Sequence, residues 1–308
     1  MRPLRIGTRG SLLAKWQAEQ VRKLLFQAAG VEAELIIIKT SGDKMTLSPL
    51  SQIGGKGIFI KELEEALIAA TIDLAVHSVK DVPTETPRQL SFPAVLRRED
   101  VRDCLVAASG ATLATLRQGA RIGTGSLRRQ AQLRRLRPDL DVRELRGNVE
   151  TRLRKAESGE YEAVVLAKAG LDRLGWSSRI SEVLSPEVCL PAVGQGAMVV
   201  EARSADAEIA EVLGKLDDPE SRNAVIAERA LLRELQGGCQ VPLGAWARME
   251  RQELVLEACV VSVDGTEYFR ERASAAPAQA TELGKEVARR LLVAGAGRIL
   301  EAVGKQRG

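Results

Sequence analysis

One pattern recurs through the first two thirds of the chain and restricts its fold more than any other feature. A short β-rich run is followed by a loop of Gly, Ser or Thr, and then by an amphipathic helix. Leu4-Arg5-Ile6-Gly7 passes through Thr8-Arg9-Gly10-Ser11 into a helix with Leu12, Leu13, Trp16, Val21 and Leu24 on one side. Ile72 to Val76 leads into His77-Ser78-Val79-Lys80-Asp81-Val82-Pro83, and Arg121-Ile122-Gly123 leads through Thr124-Gly125-Ser126 into a helix from about Leu127. Val142 to Arg146 leads through Gly147-Asn148, and Ala163 to Leu166 leads towards Leu171. Strands alternating with helices predict parallel α/β sheets. In such sheets ligands gather beyond the carboxyl ends of the strands, where helix amino termini offer free N–H groups to anions. Because these loops carry Arg, Lys, Ser or Thr at that point, the pattern predicts a cleft for an acidic ligand.

Two breaks interrupt the pattern. Arg97-Arg98-Glu99-Asp100 follows the Pro-containing stretch from Pro83 to Pro93 and reads as a hinge between two α/β domains. At Asp217-Asp218-Pro219, Asp218 is placed to cap a helix with Pro219 in its first turn. That helix carries Val225, Ile226, Leu231, Leu232 and Leu235 and ends before Gly237-Gly238. Alternation then takes over in Leu254-Val255-Leu256 and Cys259-Val260-Val261, with a hairpin turn at Asp264-Gly265, and a final helix is expected from roughly Ala280 to Val303. The tail reads as a small α+β domain. At 308 residues the chain suits two or three domains.

A composition of 45% hydrophobic and 28% charged residues is that of a soluble globular protein. No run is long enough to span a membrane, and Leu35-Ile36-Ile37-Ile38 is a buried strand at most. The start, Met1 to Arg5, is basic but no apolar run follows it, so a cytoplasmic location is expected. Cys104, Cys189, Cys239 and Cys259 stand far apart, which disfavours a disulfide framework. With His77 the one histidine, a zinc site and a His-based triad are poorly supplied, and acid–base work falls to Asp, Glu, Lys or Tyr. Net charge is +4, and with 12 lysines counted, 33 of the 45 basic residues are arginine. Between Arg117 and Arg154 eleven arginines face four acids, Asp139, Asp141, Glu144 and Glu150. Guanidinium pairs bidentately with carboxylate or phosphate. Two readings stand: a surface built to hold polyanions, or solvated helix faces.

Several residues invite a chemical role. Gly237-Gly238-Cys239-Gln240-Val241-Pro242 places a cysteine in a glycine-flanked loop past a helix end. A functional thiol and a packing role both remain open; with no second histidine for protease-type activation, a covalent anchor fits the functional case better. His77-Ser78-Val79-Lys80-Asp81 ends a strand with a carboxylate beside a lysine, either a surface ion pair or a group that stabilises a cation or moves a proton. His77 itself reads as structural. Gly54-Gly55-Lys56-Gly57 lacks the Ser/Thr and upstream Gly of a phosphate loop and reads as a mobile loop over a cleft. Gly194-Gln195-Gly196 lacks the third glycine of a dinucleotide fingerprint, so no NAD is expected.

Together these segments resemble the porphobilinogen deaminase (hydroxymethylbilane synthase) family. The matching runs are Ile6 to Ser11, Gly54 to Gly57, His77 to Pro83, Gly123 to Gln130, Leu145 to Val149, Leu190 to Gly196 and Gly237 to Pro242. They lie in order over nearly the whole chain, weakening beyond about Leu243. The resemblance implies two periplasmic-binding-protein-like α/β domains around a cleft, residues 1–96 with 193–216 and residues 97–192. A small C-terminal α+β domain, residues 217–308, would carry the cofactor cysteine. It implies a transferase in tetrapyrrole biosynthesis, a monomer that takes porphobilinogen, holds a dipyrromethane cofactor by a thioether to Cys239 and needs no metal. Four porphobilinogens would be joined head to tail, each losing ammonia, before hydrolysis releases hydroxymethylbilane. Asp81 matches the catalytic aspartate, which would help ammonia leave and stabilise the cationic azafulvene. Lys80, Ser126, Arg128, Arg129 and Arg146 match positions that bind the cofactor. Arg9, Ser11, Arg152 and Arg173 match positions that bind the acetate and propionate groups of substrate, and Lys56 matches the flexible loop.

The chain departs from the family pattern in three places. Leu12 stands where Pro is frequent after the serine, and Gly125 where a second Ser is common, which removes a hydroxyl from an anion loop. Lys168 adds a charge where smaller or apolar residues are frequent. Two rival readings are weaker. A nucleic-acid-binding protein would draw on Arg128-Arg129 and Arg134-Arg135-x-Arg137, but only 3% of residues are aromatic and stacking platforms are scarce. A non-catalytic periplasmic anion-binding protein would share the fold but need export. Neither accounts for the Gly-Gly-Cys loop.

Overall fold

The computed structural model describes residues 2–41, 60–236 and 241–305. The chain divides into two compact units, Met1–Glu99 with Ala197–Arg222 and Asp100–Gly196 with Asn223–Gly308. The first unit opens with β1 (Leu4–Thr8), α1 (Leu12–Ala29), β2 (Ala33–Ile37), α2 (Lys61–Ile68), β3 (Leu74–Ser78) and β4 (Leu90–Val95). The second begins with β5 (Asp103–Val106), β6 (Arg121–Gly123), α3 (Leu127–Leu136), β7 (Asp141–Arg143), α4 (Val149–Glu157), β8 (Ala163–Ala167), α5 (Lys168–Arg173) and β9 (Glu182–Leu184). The chain then returns to the first unit for β10 (Met198–Arg203) and α6 (Ala207–Gly214). Next, α7 (Pro219–Glu234) leads back into the second unit, to β11 (Leu243–Glu250), β12 (Glu253–Val261), β13 (Tyr268–Ala275), α8 (Ala280–Ala294) and α9 (Gly297–Lys305).

Each α/β sheet has five strands, ordered β2-β1-β3-β10-β4 and β7-β6-β8-β5-β9. β1 pairs in parallel with β2 and β3, and β6 with β7 and β8, as the strand–helix alternation requires. The expectation of wholly parallel sheets needs correction, because β10 runs antiparallel to both neighbours and so does β5. These are the two strands that each follow a passage from one unit to the other. Neither is reached through a helical crossover within its own sheet, the connection that parallel neighbours demand. β4, with Pro93 inside it, lies at a sheet edge, where a missing N–H is tolerated.

Apolar faces close both sides of the first sheet. Leu4, Ile6, Val21, Leu25, Leu74 and Val200 pack on one side, and Leu63, Leu67, Ile72 and Ala75 on the other. The buried side of α1 is Gln17, Ala18, Val21 and Leu25, whereas Leu12 is exposed and so is not part of the core stripe. In the second unit, β11, β12 and β13 form an antiparallel sheet whose apolar face packs with α7 and α8 through Ala227, Leu231, Ala245, Leu256, Leu283 and Val287. Asp218 caps α7 by accepting from the Ser221 N–H at 2.8 Å. The single final helix expected from Ala280 to Val303 is instead α8 and α9. Gly295 separates them with φ +114°, a left-handed conformation that closes α8 by donating to the Leu291 and Leu292 carbonyls.

A buried carboxylate ties the first unit together. Asp73 is fully buried and receives Arg2 at 2.7 Å, Arg5 at 2.9 Å and Arg203 at 3.5 Å. Burial alone would raise its carboxyl, but Arg5 and Arg2 outweigh that and hold it well below the usual range. Because the folded pKa lies below the unfolded one, this contribution is fully present above the unfolded value, about 4. It is lost as pH falls through the folded pKa. Asp73→Asn should therefore flatten the fall of thermal stability below about pH 4. A slope equal to the parent's would contradict this assignment.

Candidate functional site

In the first unit, the expected site residues collect at the carboxyl ends of two adjacent parallel strands. Arg9 and Ser11 occupy the turn after β1, and Lys80 and Asp81 occupy a single 3₁₀ turn, Val79–Asp81, after β3. Ser11 is the N-cap of α1, its hydroxyl oxygen accepting from the Ala14 N–H at 3.3 Å. A serine that accepts in this way keeps its O–H to donate to an anion. Asp81 is exposed, whereas His77 is buried. His77 Nε2 lies 2.9 Å from Glu201 Oε2 on β10, a structural contact across the β3–β10 pair, as expected of this histidine.

The second unit repeats the device. The turns after β6 and β7, two neighbouring parallel strands, hold Ser126 and Arg146, and Arg152 follows on the first turns of α4. Ser126 caps α3 by accepting from the Arg129 N–H at 3.5 Å. Asn148 caps α4, accepting from the Thr151 N–H at 2.9 Å. Arg146 donates from Nε to Glu144 at 2.7 Å, and Arg152 donates from Nε to the Gly147 carbonyl at 2.8 Å. A Cβ at Gly125 would stand 2.8 Å from the Leu145 carbonyl oxygen, so here the backbone packs too closely for serine. Lys168, unaccounted for in the sequence, pairs with Asp172 at 2.6 Å and with Asp100 at 3.5 Å.

Three of the expected anion-binding arginines are buried. Arg173 donates to the Gly196 carbonyl at 2.9 Å. Arg128 and Arg129, on the first turn of α3, converge on Asp103 of β5, whose side chain is fully buried. Arg128 NH1 donates to Asp103 Oδ2 and to the Leu190 carbonyl, each at 2.6 Å. Arg129 donates through Nε and NH2 to Asp103 Oδ1, at 3.0 and 2.7 Å, and through NH1 to the Val165 carbonyl at 3.0 Å. Burial would raise the Asp103 carboxyl, yet the two guanidiniums outweigh it and hold it well below the ordinary range. Asp103 escaped the sequence reading; the available signal was a carboxylate at the head of the apolar run Cys104 to Ala107.

Much of the arginine excess is likewise spent inside this unit. Arg137 pairs with Asp139 at 2.6 Å and Arg143 with Asp141 at 2.8 Å, Arg134 donates to the Val263 and Val142 carbonyls, and Arg135 lies over the Tyr268 ring. The polyanion reading thus narrows from the whole segment to the residues at the strand ends. Three thiols are also set aside: burial pushes Cys104 and Cys189 up to about 12 and Cys259 to about 11. Cys239, and Lys56 with its neighbouring glycines, lie outside the described residues. Among the described residues no group of His, Cys, Asp and Glu is arranged to hold a metal, and no helix is long and apolar enough to cross a membrane.

Residues 4–211 match the porphobilinogen deaminase dipyrromethane cofactor binding domain, and residues 223–293 match the porphobilinogen deaminase C-terminal domain. Porphobilinogen deaminase of Syntrophobacter fumaroxidans is 49% identical over 98% of this chain and 98% of its own. The Syntrophotalea carbinolica protein of the same name is 52% identical over 97% of this chain and 96% of its own. Among solved structures, a periplasmic substrate-binding protein from Coxiella burnetii overlaps 70% of this chain and 92% of its own, at 14% identity and a TM-score of 0.43. From two matched domains and near-half identity along its whole length, the chain belongs to the porphobilinogen deaminase family.

Proposed function

We propose that this chain joins four molecules of porphobilinogen head to tail on a dipyrromethane held by Cys239 and releases hydroxymethylbilane, acting as a monomer in the cytoplasm. The observation that carries this reading is the full-length match to porphobilinogen deaminases. In each addition the aminomethyl carbon of the incoming unit bonds to the free α-carbon of the chain end. One ammonia leaves and one ring proton is lost. After the fourth unit, water takes the place of the enzyme-bound chain and leaves a hydroxymethyl group. In this reading residues 1–96 with 193–216, 97–192 and 217–308 act as three domains, the last carrying Cys239.

The dipyrromethane supplies the covalent anchor and the free α-position on which the product is built. The residues present suit such a group. Its carboxylates call for cations and helix amino termini, and Ser126 at the head of α3, with Arg146 beside it, offers both. Arg128 Nε is buried with no hydrogen-bond partner among the described residues, which suits it to a further acceptor. Burial of the other three thiols supports Cys239 as the attachment point. Lys80, Ser126, Arg128, Arg129 and Arg146 would hold the cofactor.

Arg9, Ser11, Arg152 and Arg173 would receive the acetate and propionate groups of substrate, each bringing a donor to a dianion that loses its water on binding. Asp81 is the one member of the set that can stabilise positive charge. Its carboxylate would accept the pyrrole N–H and favour the cation formed as ammonia departs. Lys56 would serve a loop over the site. The direct test is incubation of the purified protein with porphobilinogen, following hydroxymethylbilane by its cyclisation to uroporphyrin. Ammonia should appear at four equivalents per product; consumption of porphobilinogen without a linear tetrapyrrole would overturn the reading.

A further inference from the structure

We propose that Asp103 is a positioning residue, the internal counter-ion that fixes Arg128 and Arg129 in the orientation from which they serve the cofactor carboxylates. The proposal rests on the function given above. Its geometry is independent of it, being contained within the second unit.

Two guanidiniums and one carboxylate are buried together, with side-chain exposures of 3% for Arg128, 6% for Arg129 and 0% for Asp103. Each guanidinium uses part of its donor fork on the same carboxylate, and carbonyls from two different segments, Leu190 and Val165, take another donor from each. Their rotamers are therefore held from both sides. The carboxylate is itself held: Gln195 Nε2 donates to Asp103 Oδ1 at 2.8 Å and to the Val101 carbonyl at 2.7 Å, and the Cys189 thiol lies 3.4 Å from Oδ2. The trio keeps one uncompensated positive charge. A buried charge without a partner is costly, so the cluster is set to accept one more anion. Arg128 Nε, buried and without a hydrogen-bond partner among the described residues, is a donor still to be used. Ser126, the N-cap of the same helix, lies two residues before Arg128, at the end where the helix dipole favours an anion.

This arrangement separates two roles that one arginine is often asked to combine. Asp103 desolvates and orients the guanidiniums before any ligand arrives, so the ligand does not meet the entropy of ordering two long side chains. Without it, both arginines would retain their charge but lose the shared acceptor that sets their angle.

The test compares Asp103→Asn with Asp73→Asn, a change at an equally buried arginine-bound carboxylate in the first unit. Each is made in the parent and in a Cys239→Ser background that cannot take the cofactor. Melting temperature is read in all of them, and KM for porphobilinogen in those that keep Cys239. Asp73→Asn should lower both melting temperatures and preserve the gain that cofactor attachment confers, with KM unchanged. Asp103→Asn should erase at least half of that gain and raise KM about tenfold or more, the loss expected of a charge-assisted contact. A gain and a KM equal to the parent's would reduce Asp103 to a structural pair and overturn the proposal. Should Asp103→Asn not fold, Gln195→Met keeps all three charges and removes the Gln195 bond to Asp103; it should shift both readouts in the same direction, and no shift overturns the proposal. A parent with no Cys239-dependent mass overturns the positioning role and the functional reading together, whereas a loaded parent with an unaltered Asp103→Asn overturns the positioning role alone.

Discussion

Cys239→Ser is expected to abolish tetrapyrrole formation while leaving a folded protein. A serine hydroxyl replaces the thiol without a change of size that could disturb packing. It is also a far weaker nucleophile at neutral pH than a cysteine thiolate, so the thioether does not form. The remaining thiols do not substitute, since Cys104 and Cys259 are buried in strands and Cys189 lies within the Asp103 cluster. Activity should fall to background, a larger loss than any single arginine change would bring. Retention of more than a small fraction of the parent's rate in this variant would mean that the chain end is not anchored at Cys239.

Asp81→Ala is the second large effect, and of a different kind. Asp81 is exposed at the end of β3, so its removal creates no cavity and, among the described residues, leaves no buried partner stranded; the melting temperature should stay close to the parent's. If Asp81 has the proposed role of stabilising a cation and moving a proton, its loss should lower kcat by about 10²–10⁴-fold. The cofactor should still be attached, because the residues assigned to hold it are untouched except Lys80, its neighbour. Near-normal kcat would remove Asp81 from the mechanism, whereas an apo-protein would move its role from turnover to cofactor assembly.

The parts of the fold that were legible from sequence are those governed by neighbours in the chain. Asp218 announced its helix because an N-cap acts over three residues, and Ser11 and Ser126 cap theirs in the same way. The Asp264-Gly265 turn announced its hairpin for the same local reason, and Gly265 adopts φ +83°. The antiparallel entry of β5 and β10 was not legible, since their direction is set by passages between units and not by any motif beside them. The break between α8 and α9 was hidden because apolar spacing continues on both sides of Gly295.

The site divides along the same line. Lys80 and Asp81, Ser11 and Ser126, and Arg146 stand where strand–loop–helix logic put them, beyond the carboxyl ends of parallel strands. Arg128 and Arg129 were expected from the resemblance to bind the cofactor, but nothing beside them in the chain announced their burial against Asp103. Asp103 meets them from 25 and 26 residues away in the chain, and no periodicity reports a contact of that length. Composition counted their charge but not what neutralises it. Leu12, placed on the apolar side of α1 by its hydrophobicity alone, sits too near the helix start to reach the sheet and remains exposed.

A covalent primer on one cysteine underlies the proposed reaction, and the denatured intact mass of the purified protein measures it most directly. The expected mass exceeds that of the polypeptide by two linked pyrrole units, an excess absent from Cys239→Ser prepared in the same way. Bare polypeptide mass in the parent, unchanged after incubation with porphobilinogen, would contradict it.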